Sequence, residues 1–208
     1  MRKVNTWIQG VGGQGKTLLA KAIAAARIRA GGRVVIVDPN AVFDGWGRVV
    51  GVLQAADALK ASPYPTPLAL VVRPAWGEDV SPLWGRLFAA GGLLVVVDEA
   101  ASWASNEAGA LDKQFLELVI KGRNRWVDLL TTSQAPTTLH PQVRQQWDVY
   151  VSFKQAEPDY AKEIAKRYLR RADLAPALLA LPKFHYLRAT LDGALSRGVV
   201  QIPPPPHR

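Results

Sequence analysis

GVGGQGKTLLAKAIA, Gly10 to Ala24, follows the apolar run Trp7-Ile8-Gln9 near the start of the 208-residue chain. Gly10, four residues, Gly15, Lys16 and Thr17 satisfy GxxxxGK[ST], the spacing of a loop that wraps the phosphates of a nucleotide. That spacing decides the fold only with a strand ahead of it and a helix behind. Val4 to Gln9 reads as the strand, and Lys16 to Ala30, rich in Ala and closed by Gly31 and Gly32, reads as the helix. Glycines at 10, 12, 13 and 15 let backbone N–H groups turn inward around a β-phosphate, and the helix N-terminus adds its positive dipole end. The nucleotide-binding set is then Gly10, Gly12, Gly13, Gln14, Gly15, Lys16, Thr17 and Leu18. Lys16 reaches the β- and γ-phosphates, and Thr17 offers its hydroxyl to Mg²⁺. A glycine turn that merely caps a helix would require neither Lys16 nor Thr17.

Outward from this loop, short β-branched runs alternate with helical patterns. The strand candidates are VNTWIQ at Val4, RVVIVD at Arg33, LALVVR at Leu68, LLVVVDE at Leu93, VDLLTTSQ at Val127 and DVYVSF at Asp148. Several are apolar throughout, as strands covered on both faces must be. Further helices are expected over Val80 to Ala90, closed by Gly91 and Gly92, and over Ala108 to Lys121, closed by Gly122. The alternation predicts a three-layer α/β domain with a mainly parallel central sheet. ASPYPTP, Ala61 to Pro67, is a stiff connector within it. After Phe153 the pattern changes: Glu157 to Arg171 is helical with a basic face, DLAPALLALP is an apolar turn, and HYLRATLDGALSRGVVQI is a hairpin about Asp192 and Gly193. The expected organisation is one domain over 1–208, with a core to about residue 153, a helix-and-hairpin extension over about 154–202, and a proline-rich tail over 203–208.

Composition limits the chemistry. The chain has no Cys, which removes a disulfide framework, a thiolate metal site and a cysteine nucleophile, and three scattered His do not make a metal cluster. No signal-peptide core opens the chain and no later segment runs about 18 apolar residues without a charge, so a soluble, intracellular protein without a membrane span is expected. The absence of Cys, the single Met, the 15 Pro and the excess of Arg over Lys lean toward a heat-adapted source, a bias that a GC-rich genome also produces in part. A formal charge of +9 suits a polyphosphate or nucleic-acid partner.

Two further segments carry acids and amides where a phosphate site needs them. LLVVVDEA is a buried strand ending in Asp98 and Glu99. If that strand adjoins the glycine loop, Asp98 can hold Mg²⁺, through water, and Glu99 can polarise a water for in-line attack on the γ-phosphate. Asp38 in VVIVDPN competes as metal ligand, but with no acid beside it and Pro39 following, it reads as structural or gating. In KGRNRWVDLLTTSQAP, Lys121 to Pro136, Gln134 can orient the attacking water; equally it can be a strand-end hydrogen bonder in a turn led by Ser133 and Pro136. Trp7 reads as packing, not adenine stacking.

Taken together, GVGGQGKT, LLVVVDEA and GRNRWVDLLTTSQAP resemble the Walker A, Walker B and strand-end glutamine motifs of the FtsK/HerA superfamily of DNA-pumping ATPases, over roughly the first 150 residues. The resemblance implies a RecA-like P-loop NTPase fold of the additional-strand, catalytic-glutamate type. Among its members the chain looks most like the genome-packaging ATPases of tailless icosahedral viruses with an internal membrane. That implies ATP and Mg²⁺ as cofactors, sequence-independent double-stranded DNA as partner, a homo-oligomeric ring, hexamer or pentamer, and a capsid or portal-vertex protein, in the host cytoplasm and at the virion packaging vertex. It also implies an arginine finger given in trans: Arg123 matches the superfamily's Gly-Arg position, Arg125 is the alternative, and the competing reading of either is a phosphate-binding or solvated helix-end arginine. Lys113, Lys121, Arg144, Lys162, Lys166, Arg167, Arg170 and Arg171 are the candidate DNA contacts, and KRYLRR carries an aromatic among its bases. A small-molecule kinase and a nucleotide-gated assembly or partitioning ATPase are the competing readings. A kinase, however, needs an arginine-rich lid, and the arginines near Arg123 instead precede a core strand.

Overall fold

The chain is described here by a computed structural model covering residues 4–105, 111–201 and 204–205. Its elements are β1 (Asn5–Gln9), α1 (Lys16–Arg29), β2 (Arg33–Val37), β3 (Arg48–Val50), α2 (Val52–Ala61), β4 (Leu68–Val72), α3 (Ser81–Ala90), β5 (Leu93–Val97), α4 (Lys113–Lys121), β6 (Val127–Ser133), α5 (Pro141–Arg144), β7 (Val149–Ser152), α6 (Pro158–Arg167), α7 (Ala175–Ala180), β8 (His185–Thr190) and β9 (Leu195–Val199). The nine strands form one sheet in the order β3-β4-β2-β5-β6-β1-β7-β8-β9. Pairing is parallel from β3 through β7 and antiparallel at β7–β8 and β8–β9.

Continuous apolar strands are explained by cover on both faces. Ile8, Val34, Ile36, Leu94, Val96 and Leu130 pack under Ala20, Ala24 and Ala25 of α1, with Phe43, Trp46 and Phe153 beside them. Trp7, Val35, Val37, Val95, Val97 and Leu129 face the opposite layer of α2, α3, α4, α6 and α7. Alanines on α1 let that helix lie close to the sheet, and its first turn is thereby fixed at the end of β1. The three-layer, mainly parallel α/β architecture expected from the sequence is the architecture found.

β6 is inserted between β1 and the strand ending in Asp98, as the additional-strand type implies. Three details differ from the sequence reading. The helix expected from Ala108 begins at Lys113, because Leu111 bridges to Ala104 and the Asp112 carboxylate caps the amides of Gln114 and Phe115; residues 106–110 of that expectation lie outside the described residues. The basic helix ends at Arg167, and DLAPALLALP contains a 3-10 turn followed by α7. Finally, β3 and α2 fall outside the sequence reading altogether. The three residues of β3 owe their order to β4, whereas α2 carries a legible buried stripe of Val52, Ala55, Ala58 and Leu59. The hairpin about Asp192 and Gly193 is present as β8–β9 and extends the same sheet. Of the proline-rich tail, Pro204 and Pro205 are described; the Pro204 carbonyl accepts from Arg29 and Pro205 lies beside Gly45.

Candidate nucleotide site

Parallel pairing brings the C-terminal ends of β1, β2, β5 and β6 to one edge of the sheet, where open α/β sheets hold their ligands. Gln9, Asp38, Asp98 and Gln134 each lie just at or past those ends. The glycine loop leaves β1 there. Gly10 has φ 150°, and a Cβ on it would stand 2.7 Å from the Phe153 Cβ, so a larger residue would push the loop off β7. Gly15 sits at φ 114° in the N-cap position of α1, under the rings of Phe153 and Phe184. Val11 N–H donates to the Lys154 carbonyl and Phe184 N–H to the Gln14 carbonyl. The loop is therefore clamped by the chain after β7, and Phe153 and Phe184 are site-shaping residues that the motif spacing does not reveal.

Lys16 is buried, and its ammonium donates to the carbonyls of Gly10 at 2.7 Å and Val11 at 3.1 Å. Burial lowers its pKa, an effect opposed by the charges of Glu99 and Asp98. Those two acids converge on the same place. Thr17 Oγ1 lies 3.4 Å from Asp98 Oδ1, and Thr132 Oγ1 donates to that oxygen at 2.8 Å while accepting the Glu99 amide at 2.9 Å. Thr132 thus orients both acids. Its signal in the sequence is the polar run Thr131-Thr132-Ser133 that ends the strand after Leu129 and Leu130, which the motif reading passes over.

Burial pushes the Asp98 carboxyl above its usual range, against the hydrogen bond from Thr132. Glu99 is raised by the same cause, against its bond from Gln134. Glu99 also holds φ 52°, in the left-handed region where a non-glycine residue costs roughly 1–3 kcal/mol. The Gln134 amide meets Glu99 Oε2 at 3.5 Å. Lys16, Thr17, Asp98, Glu99 and Gln134 are thus brought together, although β1 and β5 are not neighbours. The inserted strand β6 supplies Thr132 and Gln134 between them.

The residues present fit a magnesium nucleotide. Gly12 and Gly13 face open space, with no atom within 4 Å of where a Cβ would stand, which leaves room for phosphate against the loop's backbone. Thr17 and Asp98 form a hydroxyl and carboxylate oxygen pair, the hard donors that Mg²⁺ takes. Asp38 is not free for that role. Its carboxylate accepts the amides of Val42 and Phe43 and lies 3.5 Å from Arg73 Nε, so it builds the loop after β2. Trp7 is fully buried in an aromatic cluster with Tyr150 and Tyr168, in agreement with a packing role.

Arg123 and Arg125 are not part of this constellation. They sit in a 3-10 turn, Gly122–Arg125, before β6, at the opposite edge of the sheet from Gln134. A seven-residue strand spans about 23 Å. Arg125 donates to the Ala89 carbonyl at 2.9 Å and lies over the Phe88 ring. Arg123 is exposed and in no ion pair among the described residues. Beside them Tyr64, Gly91, Gly92, Asn124, Arg125 and Trp126 line a cavity of ≈ 430 Å³.

Of the candidate DNA contacts, Arg144 is largely spoken for by the Pro136 carbonyl and Glu163. Lys162, Lys166, Arg167, Arg170 and Arg171 are exposed on and after α6. Tyr168, the aromatic of KRYLRR, turns inward and stacks on Tyr150 with ring centroids 4.6 Å apart. The ring is therefore part of the core and does not lie among the bases on the surface. No helix among the described residues is long and apolar enough to cross a membrane.

Neither a family model nor a curated protein matches the sequence. Solved structures do match. The genome packaging NTPase B204 of Sulfolobus turreted icosahedral virus 2, in complex with ATP-gammaS, superposes with a TM-score of 0.77 at 18% identity, covering 96% of this chain and 99% of that one. B204 of Sulfolobus turreted icosahedral virus, described as a DNA-packaging ATPase, gives 0.75 at 19% identity over 95% and 98%. The bacterial conjugative coupling protein TrwB, lacking its N-terminal segment, gives 0.69 at 10% identity over 98% and 86%. The fold is that of P-loop NTPases of this type, and the resemblance carried by the three motifs is borne out at the level of fold.

Proposed function

We propose that the chain is an ATP-driven translocase of double-stranded DNA that packages a viral genome into a preformed capsid. The observation that carries this reading is the gathering of Lys16, Thr17, Asp98, Glu99 and Gln134 at one sheet edge, in a fold shared over nearly its whole length with two packaging NTPases.

In this reading the loop from Gly10 to Gly15 and the start of α1 cradle the phosphates of ATP, and Lys16 neutralises charge between the β- and γ-phosphates. Thr17 and Asp98 would hold Mg²⁺, Asp98 through water, and the ion, when bound, would neutralise charge that develops on the phosphate oxygens. Glu99 accepts a proton from a water that Gln134 orients. The water oxygen bonds to the γ-phosphorus as the bond to the β-bridging oxygen breaks, giving ADP and inorganic phosphate. Burial that raises Glu99 toward neutrality favours it as a proton acceptor. Thr132 keeps the two acids in separate orientations, one toward the metal and one toward the water.

Arg123 cannot serve its own site across the length of β6, so as a finger it acts on a neighbour in a homo-oligomeric ring, hexamer or pentamer, with Arg125 as the alternative. The core to about residue 153 is the motor. The extension over about 154–202 presents Lys162, Lys166, Arg167, Arg170 and Arg171 to DNA phosphates. A capsid or portal-vertex protein is the docking partner, at the packaging vertex in the host cytoplasm.

The test is ATP turnover with unrelated duplexes of equal length over a range of salt. Turnover should rise with every duplex alike, and the rise should disappear steeply as salt increases, because phosphate contacts displace counterions. A response confined to one sequence, or none, counts against a translocase and favours an assembly or partitioning ATPase. Transfer of the γ-phosphoryl to a small acceptor in place of phosphate release favours a kinase.

A further inference from the structure

Gln9, the last residue of β1, is fully buried directly before the glycine loop, and its amide makes four hydrogen bonds. Its Nε2 donates to the Gln134 carbonyl at 3.2 Å and to Gln155 Oε1 at 3.2 Å. Its Oε1 accepts from Tyr150 Oη at 2.5 Å and from Gln155 Nε2 at 3.3 Å. Gln155 is itself buried, bonds Ser152 Oγ and the Phe153 carbonyl, and donates its backbone N–H to the Leu178 carbonyl of α7. Two residues before Gln9 on β1 and one before Gln134, Trp7 Nε1 donates to Ser133 Oγ at 2.8 Å.

Such a cluster is not needed for packing. Leu or Met would fill the same volume, and a buried polar group is tolerated only when fully bonded. Here every partner of the Gln9 amide is fixed, and one of them is the backbone of Gln134, whose side chain faces Glu99. The Gln134 carbonyl therefore cannot shift relative to the glycine loop without breaking a partly buried hydrogen bond to a fully buried side chain.

We infer that Gln9 is a positioning residue for hydrolysis, which fixes Gln134 against Glu99 in register with the glycine loop and ties both to Gln155 and Tyr150. The inference rests on the reading of Gln134 and Glu99 as hydrolytic residues and adds a residue that touches neither phosphate nor water.

The test is a double-mutant cycle on the full chain. Gln9→Met should lower kcat roughly 10- to 100-fold, the scale of a misplaced catalytic group. The Kd for a non-hydrolysable ATP analogue should stay within about twofold. In a Gln134→Ala background the same change should alter kcat by less than about twofold, since Gln9 acts through Gln134. A merely structural role would instead weaken analogue binding, or lower kcat by the same factor in both backgrounds, and either result overturns the inference. Should Gln9→Met fail to fold by circular dichroism, Tyr150→Phe removes one of the four bonds and keeps the ring. It should lower kcat roughly three- to tenfold with Gln134 present and not without it. Equal losses in the two backgrounds overturn the inference here too. A parent that hydrolyses no ATP, or a Glu99→Gln variant as fast as the parent, overturns the site reading and the inference with it. An active parent with multiplicative losses overturns the inference alone.

Discussion

The two ends of β6 carry opposite kinds of structure. At its C-terminal end, Thr131, Thr132 and Ser133 are buried, and Thr132 and Gln134 hydrogen-bond to acids that β5 delivers. At its N-terminal end, Arg123, Asn124, Arg125 and Trp126 are exposed, the last three around an open cavity. At the first end each charged group has partners within the chain, and burial has shifted Lys16, Asp98 and Glu99 in the directions that bring them nearer neutrality. At the second end Arg123 is exposed and in no ion pair among the described residues, and Arg125 is held by the Ala89 carbonyl and the Phe88 ring. One strand thus joins a densely bonded site to an exposed basic surface, and in the proposed ring that surface is the one a neighbour's site would meet.

The comparison is sharpened most strongly at the densely bonded end. Lys16→Ala should abolish ATP hydrolysis by removing the cation between the β- and γ-phosphates, whereas Glu99→Gln should keep nucleotide binding and lose turnover. Parallel binding and turnover assays separate the two lesions. Parental turnover by the Glu99→Gln variant would remove Glu99 as the base.

At the other end, Arg123→Ala should leave folding and nucleotide binding intact while lowering hydrolysis by roughly three to five orders of magnitude. Mixing decides whether the effect crosses subunits. Arg123→Ala and Glu99→Gln proteins, each nearly inactive alone, should regain part of the activity when co-assembled, since an intact Glu99 then meets a neighbour's intact Arg123. Co-assembly without recovery would turn the finger assignment to Arg125 or to a residue of the same chain.

A smaller effect is expected from Arg125→Ala, whose guanidinium is engaged with Ala89 and Phe88. Loss of an exposed hydrogen bond and cation–π contact should cost about 1 kcal/mol, or about 2–4 °C in Tm. Thermal unfolding without nucleotide measures it. An unchanged Tm combined with lost turnover would make Arg125 the finger.

The smallest effect concerns Asp98 before nucleotide binds. Burial raises its pKa above that of the unfolded chain, so the folded state holds the extra proton in the window from the ordinary carboxylate value upward, and stability falls as pH rises through that window. Asp98→Asn should therefore raise the Tm of nucleotide-free protein at neutral pH, with the gain vanishing below the ordinary carboxylate range. A Tm lower than the parent's at neutral pH would mean that attraction to Lys16 outweighs burial.

Local chemistry settles which parts of this were legible in sequence. Phosphate binding by a loop needs glycines, a lysine and a hydroxyl at fixed short spacing, so Gly10 to Thr17 announce themselves, and the apolar runs announce strands covered on both faces. Asp98, Glu99 and Gln134 stand out because each is polar at the end of such a run. Long-range pairing has no such local signature. That Thr132 bonds both acids, that Phe153 and Phe184 clamp the loop, and that Tyr168 turns inward while its basic neighbours stay in water were decided by strand order and packing. Gln9 illustrates the division. In the sequence it is one polar residue ending a strand; only the convergence of β1, β6 and β7 places three partners about its amide, because a buried amide takes its meaning from the groups that the fold brings to meet it.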